Sequence, residues 1–388
     1  MQGINPIILI WARKQSGFSL GEVAIYFKKE PRFIQDWENG TSSPSFPQLE
    51  KLANKYKRPT ALFFFPEIPE ETLISQSFRT LPKQEVEYIQ PHLRHIIRKA
   101  KVMQINLSEL NNGINPVEKK ILNLINIKNK SINEVAKELR LLLDISLETQ
   151  STYKKPKLAF KAWRNVLEKY GIFVFKDSFK DEGFSGFCLY DEVFPVIYIN
   201  NSLPPSRQVF TLFHELAHLL FGIDGIEMLS NNQDYHNKLS ETNKKIEVFC
   251  NAFSSKFLVP DAAFDQYLDN EVNDTSLEDI AKQFVVSREV ILRKFLDNQK
   301  ITTDFYTKKV RQWKDEYELD KKQNRSQSTG GNPNYTKRAY LGENYMELAF
   351  SQYYNNNISI RQLADYLDVK PWRIPTMESL IFEDSSRL

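Results

Sequence analysis

Five residues in the middle of the chain, His214-Glu215-Leu216-Ala217-His218, restrict its fold and chemistry more than any other feature. The i, i+4 spacing puts both imidazoles on one face of a helix, one turn apart, where they can share a metal ion. Val209, Phe210, Leu212, Phe213, Leu216, Leu219, Leu220 and Phe221 make that helix apolar nearly all round. A helix of this kind is buried. Two imidazoles and a carboxylate buried without partners would be strongly destabilising, and a divalent cation satisfies them directly. Zinc suits neutral imidazole nitrogens, tolerates a carboxylate as third ligand and leaves a fourth position for water in a catalytic site.

The third ligand is expected from a second helix, at about Thr242 to Leu258 and stopped by Pro260, where Glu247 is the candidate. Ile246, Phe249, Cys250, Phe253 and Phe257 form its apolar stripe, on which Cys250 reads as core. Glu247, Asn251 and Ser254 fall on a neighbouring face. Asn251 is expected to orient a ligating histidine. With Glu215 as base, two histidines and a glutamate make a zinc-hydrolase arrangement: the metal acidifies its water, Glu215 takes the proton, and the scissile carbonyl is polarised. Tyr235 and His236, in the loop between the two helices, are candidates to stabilise the transition state, against a solvated-loop reading for the histidine. His92 and His95 read as surface residues.

Composition excludes several classes. The net charge is +3, 52 basic against 49 acidic residues, too small for a nucleic-acid coat or an acidic tail protein. The two cysteines, Cys188 and Cys250, fit neither a disulfide framework nor a cysteine-rich zinc ribbon, which points to a reducing compartment, the cytoplasm. No apolar run reaches the length of about 18 residues that spans a bilayer, so no membrane association is expected.

Punctuation by glycine and proline divides the chain into a compact helical module over 1–68, a polar helical connector over 69–158, a core over 159–322 and a helical module over 335–388. Within the core, Ile172–Phe175, Phe184–Tyr190 and Phe194–Ile199 read as strands of a small antiparallel sheet, ahead of the His-Glu-x-x-His helix closed by Gly222. The fold class is α+β, mostly α.

The segments Arg207–Phe221 and Glu247–Pro260 together resemble the ImmA/IrrE metallopeptidases, and both motifs fall in the right order. The resemblance implies a minimal gluzincin-like core. It further implies Zn2+ held by His214, His218 and Glu247, with Glu215 as catalytic base, and a bacterial regulator that cleaves a protein partner, a transcription regulator of the XRE type. Departures are mild: Ala217 stands where glycine is frequent, and Cys250 and Ser254 stand where alanine is usual. Residues 1–68 resemble a five-helix XRE-type helix-turn-helix, carried by Gly17-Phe-Ser-Leu20, Glu22-Val-Ala24, Ile34–Gly40 and Leu49–Ala53. The recognition helix would span Pro31 to Glu38, with Lys28, Lys29, Arg32 and Gln35 available to double-stranded DNA. Residues 1–60 hold nine Lys or Arg against five acids, an excess of 9 − 5 = +4, and Glu30 opposes the phosphates. The rival reading is a DNA-binding or antitoxin-like regulator whose metal is structural or sensory. Two further segments of helix-turn-helix rhythm, Ser276–Ser287 and Ser359–Lys370, read as structural or docking elements.

Overall fold

A computed structural model describes residues 3–71, 89–228, 240–325 and 332–382. Four helices, α1 (Pro6–Gln15), α2 (Leu20–Phe27), α3 (Pro31–Glu38) and α4 (Phe46–Tyr56), open the chain, and a 3-10 turn over Thr60–Phe64 stands where a fifth helix was expected. Local chemistry sets their ends. Ser19 and Glu22 form a reciprocal capping box at the start of α2, and Pro31 occupies the first turn of α3, where its missing N–H is no loss. Ile8, Val23, Ile34, Trp37, Leu49 and Phe63 bury against one another, and a buried bidentate pair ties α1 to α3, Arg13 donating to Glu38 at 2.7 and 2.8 Å.

Four strands make one sheet: β1 (Phe173–Asp177), β2 (Phe184–Leu189), β3 (Val196–Asn200) and β4 (Gly225–Met228), in the order β1-β3-β2-β4. The expected antiparallel sheet is instead mixed. β2 and β3 form an antiparallel pair, and β3 inserts between β2 and β1, so β1 and β3 run parallel. β4 adds antiparallel to the outer side of β2. β2 and β3 are buried at every position because both faces of the sheet are covered. Val174, Cys188, Ile197 and Ile199 point to one layer, which holds the His-Glu-x-x-His helix, while Phe175, Phe187, Leu189 and Tyr198 point to the other.

Helices on either side of the sheet come from distant parts of the sequence. The long helix Pro91–Leu110 packs on the far face beside the C-terminal helices Glu343–Tyr354, Ile360–Tyr366 and Ile374–Phe382. On the near face the helices Ile132–Leu142 and Pro156–Lys169 join the layer with the motif. The segment Ser276–Ser287 folds as most of one helix (Asp274–Phe284) and the turn into the next (Arg288–Asp297), and it buries Leu277, Ile280 and Phe284 in that layer. His92 and His95 are half-buried and not surface residues: His92 donates to the Ser178 carbonyl at 2.8 Å. Burial, then the charges of Arg98, Lys99, His92 and Lys57, holds His95 down to about 4. No helix among the described residues is long and apolar enough to cross a membrane.

Candidate metal centre

The motif helix spans Pro205–Leu220, begins on Pro205 and ends before Gly222, whose φ of +70° lets the chain turn away. It is buried from Thr211 through Leu219, and His214, Glu215 and His218 are at most 1 % exposed. An aromatic ladder fixes it against its neighbours. Trp163 meets Phe213 edge-on at 5.0 Å, Phe213 lies 4.2 Å from Phe257, and Phe221 meets Phe249 at 5.0 Å. Phe249 and Phe257 belong to the facing helix, Glu241–Leu258. The C-terminal carbonyls of that helix find side-chain donors: Arg140 bonds Phe257 at 2.9 Å and Gln150 bonds Leu258 at 2.9 Å.

This packing brings three side chains to one point. The Nε2 atoms of His214 and His218 are 3.2 Å apart. Glu247 reaches both with separate oxygens, Oε2 at 3.3 Å from His214 and Oε1 at 3.4 Å from His218. Ligands bonded at about 2.0–2.1 Å to one tetrahedral ion stand roughly 3.3 Å from one another, so the donor set and its spacing fit a metal ion of the zinc class. Cys250 is the neighbour that the sequence pattern placed in the core only. It is buried there, and its sulfur also lies within 4.8 Å of a ring nitrogen of each histidine.

Asn251 is a correction. It is exposed, on the solvent flank of its helix, and does not orient a histidine. Helical positions advance about 100° per residue, and the buried arc runs from Glu247 through Cys250, Phe253, Ser254 and Phe257. Asn251 lies on the other side of Glu247 from that arc. Tyr235 and His236 lie outside the described residues.

Two strands press on the motif helix from the sheet side. Cys188 of β2 accepts a hydrogen bond from the Gly225 N–H at 3.2 Å. Burial pushes the Cys188 thiol well above its ordinary range, and the nearby Glu215 and Asp224 carboxylates add to this, so the thiol stays protonated beside Glu215. Gly225 touches the other end of the motif: a β-carbon there would sit 2.6 Å from His218 Cδ2. Gly225→Ala is therefore expected to push the His218 ring out of place, destabilising the fold by about 1–3 kcal/mol and weakening zinc binding. Thermal unfolding and a zinc titration check both effects.

The second candidate surface is on α2 and α3. Lys28, Lys29, Arg32 and Gln35 are all exposed, around the N-terminus of α3, and Lys29 lies over the Phe33 ring at 5.5 Å. Lys28 takes the left-handed conformation at the end of α2, φ +55°, which turns the chain into α3. Glu30 is exposed at the cap of the same helix.

Comparison with known families gives the same two regions. Residues 167–296 match the family model of the IrrE N-terminal-like domain, a peptidase M78 family, and residues 9–63 match that of a helix-turn-helix. The first match spans the sheet, the motif helix and the Glu247 helix; the second spans α1 to α4. No curated protein matches the chain. The chain thus carries a region similar to a helix-turn-helix ahead of one similar to the IrrE N-terminal-like domain of the peptidase M78 family.

Proposed function

We propose that the protein is a zinc-dependent endopeptidase that regulates transcription by cutting a protein partner, an XRE-type repressor or a related regulator. In this reading the helix-turn-helix binds double-stranded DNA. The observation that carries it is the convergence of His214, His218 and Glu247 on one point, with Glu215 buried between the two histidines in sequence. His214 and His218 would hold the metal through Nε2, and Glu247 would hold it through its carboxylate. A divalent cation held there supplies Lewis-acid polarisation of the scissile carbonyl and lowers the pKa of water. Glu215 receives the proton of the attacking water and returns it to the departing amine. Cys188, a neutral thiol at its side, keeps Glu215 company without adding charge.

The test is a search for new protein N-termini in cells carrying the wild-type chain or a His214→Ala, His218→Ala double variant. Termini that depend on the two histidines support the peptidase and name its substrate; identical profiles under every inducing condition would sink it.

For the DNA-binding half, Lys29→Ala is expected to weaken duplex binding about equally across sequences and to reduce the slope of log affinity against log salt by about 1. Titration of a labelled duplex at several salt concentrations measures both, and an unchanged slope removes Lys29 from the interface.

A further inference from the structure

We propose that Cys250 is a fourth protein ligand of the metal centre and holds it closed in the resting protein, an inference that rests on the peptidase reading above. The sulfur is placed for it. His214, His218 and Cys250 are all buried, with their ligand atoms within 4.8 Å of one another. Cys250 follows Glu247 by one turn on the same buried arc of the facing helix. The Ser254 hydroxyl donates to the Cys250 carbonyl at 2.9 Å, which fastens the backbone of that turn. Nitrogen and sulfur ligands of one tetrahedral zinc stand about 3.5 Å apart. A change of χ1 rotamer moves a cysteine sulfur by about 3 Å, enough to cover any remaining gap.

The consequence is chemical. Two imidazoles, a carboxylate and a thiolate fill a tetrahedral shell, and a filled shell leaves no position for water or a substrate carbonyl. The peptidase is then latent until Cys250 is displaced. Glu215 stays outside the shell, so the base is in place while the metal is shielded.

X-ray absorption at the zinc edge of the full-length, zinc-loaded protein tests this. One sulfur scatterer at about 2.3 Å is expected in the wild type and none in Cys250→Ala or Cys250→Ser. Zinc bound by nitrogen and oxygen alone in the wild type, or a sulfur that persists in Cys250→Ala, overturns the proposal and leaves the peptidase reading standing. A wild-type protein that takes up no zinc overturns both. Should the variants fail to fold, cobalt substitution of the wild type decides the matter: an intense thiolate-to-cobalt charge-transfer band in the near ultraviolet is expected, and its absence overturns the proposal. An open position also has a direct probe, since acetohydroxamate should bind Cys250→Ala at least about tenfold more tightly than wild type. Equal affinity would mean that the wild-type shell is already open.

Discussion

Replacing Glu215 with Gln is expected to lower cleavage of the partner protein by about 10²–10⁴-fold while leaving zinc content unchanged. The two halves of that outcome have separate causes. Glu215 shares a helix with His214 and His218 but stands one residue after the first and three before the second, off the face that the two imidazoles share, so its carboxylate is not among the three groups that converge. An amide of the same shape fills the same fully buried space. It cannot take a proton from water, and the general-base contribution is lost. The measurement is the abundance of the cleavage-dependent N-termini, set beside the zinc content of the purified variant. Cleavage at the wild-type rate would remove Glu215 as base; loss of zinc would make it a structural residue.

The second large effect is expected at Glu247. Its two oxygens lie 3.3 and 3.4 Å from the two imidazole nitrogens, and it is 5 % exposed. Glu247→Ala removes one of three converging donors and leaves two imidazoles facing each other across a void that Ala cannot fill. Zinc affinity should fall by more than about 100-fold, beyond the 10- to 100-fold typical of groups that only orient a ligand. Competition with a chromogenic chelator measures the fall. Affinity within tenfold of wild type would assign the third position to another group, Cys250 first among them.

The centre was legible in the sequence to the extent that it depends on local geometry. An i, i+4 pair of histidines faces one way on any helix, and the apolar residues around it declare burial before a fold is known. Glu247 was reached through a family resemblance and the polar edge of its helix. What failed at Asn251 was the choice of side. Asn251 and Cys250 flank Glu247 on opposite sides of the helix, and the apolar stripe through Cys250, Phe253 and Phe257 turns the Cys250 flank inward, Phe257 packing against Phe213 and Trp163 with Phe253 beside it.

Sheet order escaped for a different reason. The three apolar runs were visible as strands, but β3 takes a place between β1 and β2 that adjacency in sequence does not suggest. β4 is four residues long and begins with a glycine, so it carried almost no strand signal. That glycine is set by contact with His218, and a contact of this kind cannot be read along the chain. In the N-terminal module the expected recognition helix forms over Pro31–Glu38, and the resemblance fails only at the 3-10 turn that takes the place of a fifth helix.

We propose that His214, His218 and Glu247 form a metal centre served by Glu215. Elemental analysis of the purified wild-type chain beside His214→Ala and Glu215→Gln tests it most directly. About one zinc per chain is expected in the wild type and in Glu215→Gln, and close to none in His214→Ala. Folded wild-type protein that holds no metal after zinc is supplied, or a His214→Ala variant that keeps its full complement, would contradict the account.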